Sequence, residues 1–280
     1  MDAAVPAQPA YDFDADTAVE PAGDGVWRGQ ISPRWSIGPY PNGGYVLAVG
    51  LAAVRATLPH PHPFAVSAHF LRPTSHGPVD IAVEPVRSGR GHSTAEGRMV
   101  QAGRERARFL ATYGDLAAVS GPTAVTASPP PLPPPEDCLT DDAGTQPMPN
   151  GLIAEIRRRM DIRFAPGTVD FLRGVRHGRG GIGGWVAFAD GRPVDVDALP
   201  FLCDAMPPAV FDLVDQPGWV PTLEYTVHVR GVPAPGWVRA WFTTRALVDG
   251  YLEEDGEIWD SQGRLVAMSR QLARLNPPGS

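Results

Sequence analysis

Runs of alternating hydrophobic and polar residues, separated by glycine-containing turns, predict that most of the chain forms β-strands. One long apolar stretch without that alternation, residues 45–58, predicts a helix in the first half, and a second stretch, residues 199–213, predicts a shorter one in the second half. The predicted strands are 26–31, 65–71, 78–87, 93–101 and 106–113, then 161–164, 185–189, 222–230, 236–247, 250–260 and 264–275.

The two halves repeat each other. Phe70-Leu71-Arg72-Pro73 matches His228-Val229-Arg230-Gly231, and Ala102-Gly103-Arg104 matches Gln262-Gly263-Arg264, a spacing of about 158–160 residues. That spacing is longer than any solenoid repeat, so it predicts a duplicated domain. The predicted fold class is α+β, with two curved antiparallel sheets, each packed on one helix. A sheet of this kind leaves an open edge, and we expect the two copies to pair their edges into one sheet.

Prolines mark the domain boundary. The cluster Ser128-Pro129-Pro130-Pro131-Leu132-Pro133-Pro134-Pro135 lies in a stretch with little periodicity, which predicts an extended linker over residues 117–151. The expected organisation is an N-terminal tail at 1–25, a first domain at 26–116 and a second domain at 152–276.

Composition excludes several classes of protein. All 24 basic residues are arginine, so the chain has neither a Schiff-base lysine nor the lysine of a phosphate-binding loop. The net charge of −7 argues against nucleic-acid binding. The longest apolar run, residues 46–54, is far below the ~20 residues of a membrane span. The N-terminus does not resemble a signal peptide, so we expect a cytoplasmic protein.

Three motifs that could bind a ligand or act in catalysis are interpreted as structural. The G-x-G-x-x-G pattern at 178–183 precedes a predicted strand instead of the helix that a dinucleotide site needs, and we interpret it as a loop. His60 and His62 have no third ligand at metal-binding spacing. Cys203 lies in an apolar stretch without an adjacent base, which favours packing over a nucleophile. We therefore expect no metal and no cofactor.

Three other features leave two interpretations open. Asp204 introduces a carboxylate into an apolar stretch, either as a functional acid or as a helix cap ahead of Pro207 and Pro208. Asn42-Gly43-Gly44 precedes the first helix, either as an ordinary turn or as a set of N–H groups able to hold a carbonyl oxygen. Gln271 lies in a final strand whose alternation does not assign it to the core, so an exposed glutamine stays open.

Together these residues resemble the acyl-CoA thioesterase II family, the tandem "double hotdog" thioesterases. The resemblance covers residues 26–116 and 160–275. It is carried by Arg28-Gly29-Gln30, Gly43-Gly44, His69-Phe70-Leu71-Arg72-Pro73, Thr222-Leu223-Glu224-Tyr225-Thr226 and the strand of Gln271. It implies that Asp204, Thr222 and Gln271 bind and activate a water molecule. It also implies that Asn42, Gly43 and Gly44 hold the thioester carbonyl.

The chain departs from the family at two points. Pro207 and Pro208, shortly after Asp204, predict a break or kink in the second helix. The family has Asp-His where this chain has Glu224-Tyr225, which makes Glu224 a candidate auxiliary acid. The polar set also occurs in one copy only, because the first helix has no acid at residues 45–51 and the counterpart of Gln271 falls near Ala111. This asymmetry predicts a single composite site.

The expected function is hydrolysis of an acyl-CoA, the expected partner, to a free acid and CoA. An acyl-CoA-binding protein without turnover is the main alternative. A hotdog hydratase or dehydratase is a weaker one, because neither helix has the Asp and His that those enzymes use. Association into a homo-oligomer through exposed sheet edges stays open.

Overall fold

The structure is a computed structural model, and it describes residues 11–140, 147, 151–215 and 218–277. Its α-helices are α1 (Asp12–Thr17), α2 (Gly43–Thr57) and α3 (Leu199–Leu202). Its strands are β1 (Val19–Gly23), β2 (Val26–Ile31), β3 (Ser36–Ile37), β4 (Tyr40–Pro41), β5 (His62–Phe70), β6 (Gly77–Ser88), β7 (His92–Gln101), β8 (Arg104–Gly114), β9 (Leu139–Thr140), β10 (Met160–Phe164), β11 (Gly181–Phe188), β12 (Thr222–Val229), β13 (Val238–Thr243), β14 (Leu247–Val248), β15 (Tyr251–Trp259) and β16 (Leu265–Arg274). Short 3₁₀ helices occur at Pro33–Trp35, Pro135–Asp137, Glu155–Arg158, Asp170–Arg173 and Ala209–Asp212.

The two halves share one continuous antiparallel sheet. Its strand order is β1-β2-β6-β7-β8-β5-β12-β16-β15-β13-β11-β10-β9, with β14 on β15. The halves join where β5 pairs with β12, from His69 opposite Glu224 to Ala65 opposite His228. The prediction that the two copies pair their edges is thereby confirmed.

The duplication extends to local irregularities. The register of β5 against β8 shifts between Pro63 and Ala65, and that of β12 against β16 shifts between Thr222 and Glu224. The shifts occur 159 residues apart in sequence, at corresponding points of the two strands. Each half therefore has the same bulged strand beside the join.

Helix α2 packs against the first half of the sheet and is almost entirely buried. Its N-cap is Asn42, whose side chain accepts a hydrogen bond from the backbone N–H of Tyr45 at 2.8 Å. It ends before Pro59, because the residue ahead of a proline disfavours helical geometry. Gly50 lets the helix approach the sheet, since a Cβ there would lie 2.8 Å from the ring of Phe109.

The second predicted helix is wrong in length. Residues 199–213 form the four-residue α3, then an irregular stretch, then the 3₁₀ helix Ala209–Asp212. Pro207 and Pro208 interrupt the helix because proline lacks the N–H that the next turn needs. Among the described residues, the second half of the sheet consequently has no long helix over it.

Part of the predicted N-terminal tail is folded. Residues 1–10 lie outside the described residues, but β1 pairs with β2 and α1 places Phe13 in the core. The Phe13 ring lies 5.4, 5.3 and 5.2 Å from the ring centroids of Trp35, Phe188 and Phe201. These aromatic side chains come from both halves, so the N-terminal segment joins them.

The predicted linker is described up to residue 140, and residues 141–146 and 148–150 of it lie outside the described residues. Its proline-rich part is extended, and the carbonyl of Pro133 accepts a hydrogen bond from Trp185 Nε1 at 2.8 Å. Just after it, β9 pairs with β10. Across the described residues, no helix is both long and apolar enough to cross a membrane.

Candidate active site

A cavity of about 500 Å³ opens between the start of α2, the segment after α3, and strands β12, β15 and β16. Its polar lining includes Asn42, Asp204, Thr222, Glu254 and Gln271. Its apolar lining includes Val46, Phe70, Met206, Phe211 and Leu252. A polar end and an apolar wall suit a ligand with a reactive head and a hydrocarbon tail.

Asp204 belongs to the second half of the chain, but its side chain lies at the start of α2, which belongs to the first half. Its Oδ2 accepts hydrogen bonds from the backbone N–H of Gly44 at 2.7 Å and from Asn42 Nδ2 at 3.0 Å. Asn42 Nδ2 also donates to the backbone carbonyl of Asp204 at 2.8 Å. The carboxylate therefore caps α2 instead of a helix of its own half.

The surroundings of Asp204 hold its pKa above the ordinary value. Removal from water raises the pKa to about 6, and the hydrogen bonds from Gly44 and Asn42 oppose the shift. Both donors reach Oδ2, and no described residue donates to Oδ1. Asp204 is thus mostly charged at neutral pH, and its Oδ1 accepts no hydrogen bond from the described residues.

The two glycines at the start of α2 differ in their use. A Cβ at Gly44 would lie 2.8 Å from Asp204 Cβ and 3.0 Å from the carbonyl of Phe201, so only glycine fits there. Gly43 lines the cavity, and a Cβ on it would lie 3.2 Å from Asp204 Oδ2. The N–H of Gly44, expected to be available for a carbonyl, instead donates to Asp204.

Thr222 and Gln271 belong to a second hydrogen-bonded group on the sheet. Thr222 Oγ1 donates to Gln271 Oε1 at 2.5 Å, and Gln271 Nε2 donates to Glu254 Oε1 at 2.8 Å. Glu254 Oε2 accepts from the backbone N–H of Ala209 at 2.6 Å. Gln271 is only 7% exposed, which removes the exposed-glutamine interpretation.

Glu254 is the residue that the sequence analysis missed. It stands in an acidic run, Glu253-Glu254-Asp255, which is typical of a solvated strand. The alternation of buried Leu252, Glu254 and Ile258 along β15 was the available signal, because it places Glu254 on the inner face. The side chain is 5% exposed, and burial raises its pKa to about 7.

The structure does not bring Glu224 to this cavity. Its Oε1 accepts hydrogen bonds from Thr226 Oγ1 at 2.6 Å and from Ser67 Oγ at 3.4 Å, and Glu224 is absent from the described lining. The bulge between Thr222 and Glu224 accounts for this, since it changes the direction of side chains along β12.

The three motifs interpreted as structural lie outside the polar group of the cavity. Burial raises the pKa of the Cys203 thiol to about 12, so it is not a nucleophile at neutral pH. His60 Nδ1 is within hydrogen-bond distance of Ser93 Oγ at 3.0 Å. The glycine motif at 178–183 is a loop only as far as residue 180, and residues 181–183 form the start of β11, so the prediction of a loop is wrong for its second half.

Two family models match the chain and together cover most of it. The acyl-CoA thioesterase N-terminal domain matches residues 31–114, and the acyl-CoA thioesterase C-terminal domain matches residues 135–275. The chain belongs to the acyl-CoA thioesterase family. The family resemblance inferred from the sequence, with its tandem hotdog domains, is confirmed.

Proteins with similar sequences include one from a bacterium and one from a fungus. An uncharacterized protein of Mycobacterium tuberculosis is 30% identical over 272 aligned positions, covering 89% of this chain and 91% of the relative. The thioesterase-like protein TwmA of Talaromyces wortmannii is 24% identical over 331 aligned positions, covering 94% of this chain and 91% of the relative.

Solved structures agree on the fold. A candidate thioesterase II from Thermobifida fusca superposes with a TM-score of 0.86 at 31% identity, covering 96% of this chain and 99% of that one. The acyl-CoA thioesterase II TesB2 of Mycobacterium marinum superposes with a TM-score of 0.71 at 20% identity, covering 95% and 99%. At 20% identity, the similarity to TesB2 shows a shared fold only.

Proposed function

We propose that this chain hydrolyses acyl-CoA thioesters to a free acid and CoA. The main support is that an ionisable Asp204, with a pKa of about 6, shares one partly apolar cavity with Thr222 and Gln271. A general base works best when its pKa lies just below the working pH.

In the proposed reaction a water molecule attacks the thioester carbonyl. Oδ1 of Asp204 takes one proton of that water, and Thr222 with Gln271 holds the molecule in place. The tetrahedral intermediate then collapses, the carbon–sulfur bond breaks, and the proton passes from Asp204 to the departing CoA thiolate. Water and thioester are consumed, and acid and thiol are formed.

The start of α2 would stabilise the negative charge that forms on the carbonyl oxygen. The first N–H groups of a helix have no partner within it, and the helix dipole favours negative charge there. Because Gly44 donates to Asp204, we assign this role to the N–H of Gly43, which lines the cavity. Asn42 contributes indirectly, by holding Asp204.

Release of free thiol from acyl-CoAs of graded chain length tests the proposal, with Asp204→Asn beside the wild type. Asparagine can keep an oxygen towards Gly44 but cannot accept the proton, so kcat is expected to fall at least about tenfold. Asp80→Asn is the matched control, because Asp80 pairs with Arg28 on the surface, away from the cavity.

The pH dependence gives a second readout. Only ionised Asp204 can act as a base, so kcat should fall as the pH drops through about 6. If Asp204→Asn keeps full activity, the assignment is wrong. Acyl-CoA binding by calorimetry without turnover at any chain length would indicate a binding protein instead.

A further inference from the structure

The hydrogen bonds around Glu254 can run in only one direction when its carboxylate is charged. A backbone N–H is always a donor, and Ala209 donates to Oε2 at 2.6 Å. A carboxylate only accepts, so Oε1 must receive the NH₂ of Gln271, 2.8 Å away. The amide oxygen of Gln271 then faces Thr222, and the Thr222 hydroxyl must donate to it.

This direction determines whether the Thr222 hydroxyl can donate a hydrogen bond to a molecule in the cavity or only accept one. Its single hydroxyl proton is committed to Gln271 at 2.5 Å, so its oxygen can only accept a hydrogen bond from a molecule in the cavity. In the proposed reaction, a water bound by both Thr222 and Asp204 then donates both its protons to the protein. Its lone pair is left for the thioester carbon.

We propose that Glu254 is a positioning residue, which acts through Gln271 to make Thr222 an acceptor towards the attacking water. This inference rests on the proposed thioesterase function and extends it to a residue outside the expected site. With the direction reversed, Thr222 would donate to the lone pair of the water and compete with the attack.

The groups facing Glu254 are consistent with a charge that changes near neutral pH. Burial raises its pKa to about 7, and the charges of Asp204 and Asp255 add to the effect. Asp255 is held by Arg270, and the hydroxyl of buried Tyr225 donates to the carbonyl of Pro200 at 2.7 Å. A protonated Glu254 could donate to Gln271, which would turn the amide over and reverse the chain of hydrogen bonds.

Glu254→Gln tests this directly, because it imitates the protonated state with almost the same volume. The new amide must keep its oxygen on the N–H of Ala209, so its NH₂ faces Gln271 and the whole chain reverses. We expect kcat to fall about 10- to 100-fold, the equivalent of one charged hydrogen bond, with KM changed less than about threefold. Glu257→Gln on the same strand is the control, because Glu257 accepts a hydrogen bond from Trp259 instead.

The pH profile separates positioning from a structural role. In the wild type, kcat should begin to fall below about pH 7 and steepen towards a two-proton slope below about pH 6, because both Glu254 and Asp204 must be charged. In Glu254→Gln a one-proton slope should remain, at a lower pH, since the neighbouring negative charge has gone. In a Thr222→Val background, Glu254→Gln should cause no further loss of kcat.

The outcomes distinguish this inference from the proposed function. If neither the wild type nor Glu257→Gln releases thiol, the proposed function fails and this inference with it. If the wild type is active and Asp204→Asn is not, full kcat with an unchanged profile in Glu254→Gln overturns this inference alone. Should Glu254→Gln fail to fold, the wild-type profile decides, because a one-proton slope near pH 6 also overturns it.

Discussion

The two halves of the sheet carry corresponding rows of side chains with opposite chemistry. In the first half, Ala111 on β8 stands opposite Val66 on β5 and Ala95 on β7. In the second half, the row at the corresponding positions is Tyr225, Gln271 and Glu254 on β12, β16 and β15. All six side chains are buried, so the difference between the rows is one of chemistry and not of exposure.

The helices above the two rows explain the difference. In the first half, the 15-residue α2 covers the sheet, and the Tyr113 hydroxyl on β8 donates to the carbonyl of Leu51 at 3.2 Å. In the second half, α3 has four residues, and the segment after it lines a cavity of about 500 Å³. Of these two rows, the one with Gln271 and Glu254 therefore lies in the half where the helix is short and a ligand has room.

The largest effect is expected when a polar side chain of the second half is replaced by the alanine that stands at the corresponding position of the first half. Gln271→Ala should lower kcat about 10- to 100-fold, because Thr222 loses its partner. It also leaves one oxygen of buried Glu254 without its donor, so thermal stability at pH 8 should fall.

Adding Glu254→Ala to Gln271→Ala should recover part of the melting temperature without lowering kcat further, since both residues act through Thr222. A double-mutant cycle with the two single variants and the double variant measures the coupling between Glu254 and Gln271, once in melting temperature and once in kcat. Additive losses in both would show that the two residues act independently.

The converse change places a glutamine in the first half. Ala111→Gln introduces an amide at a side chain that is 0% exposed, with Val66 and Ala95 beside it, and it also overfills the space under α2. The free energy of unfolding should fall by at least about 2 kcal/mol, measured by chemical denaturation.

Leu110→Gln is the matched control for Ala111→Gln. Leu110 is the neighbouring residue, is 49% exposed and points to the opposite face of the sheet, so its replacement should change stability by less than about 0.5 kcal/mol. Equal losses in the two variants would mean that α2 does not exclude polar groups from the first half.

The smallest effect is expected at Glu224. Its carboxylate accepts hydrogen bonds from Thr226 and Ser67 and does not line the cavity. Glu224→Gln should keep kcat within about twofold in the thiol-release assay. A tenfold loss would restore Glu224 as the auxiliary acid that the sequence suggested.

Most strands were predictable because their signal is local. Alternation between the two faces of a strand predicted the ranges now seen as β2, β5, β6, β7 and β8 to within a few residues. The apolar composition of residues 199–213 predicted too long a second helix, whereas Pro207 and Pro208 predicted the break that the structure has. The N-terminal segment was missed because a six-residue helix carries little periodicity, and α1 depends on aromatic contacts with both halves.

The candidate site was predictable only in part. Asp204, Thr222 and Gln271 were suggested by resemblance, and the structure has all three lining one cavity. Glu254 was missed because an acidic run predicts a solvated strand, and only its partners, Ala209 and Gln271, explain a buried carboxylate there.

The sequence by itself determined the strands, the first helix, the duplication and the absence of lysine chemistry, since each depends on residues that are close in the chain or simply present. The tertiary structure decided that Asp204 caps a helix 160 residues away and that Glu254 orients the amide of Gln271. The physical reason is that the energy of a buried charge depends on the donors packed around it. Those donors are brought together by the pairing of two halves, which no local pattern records.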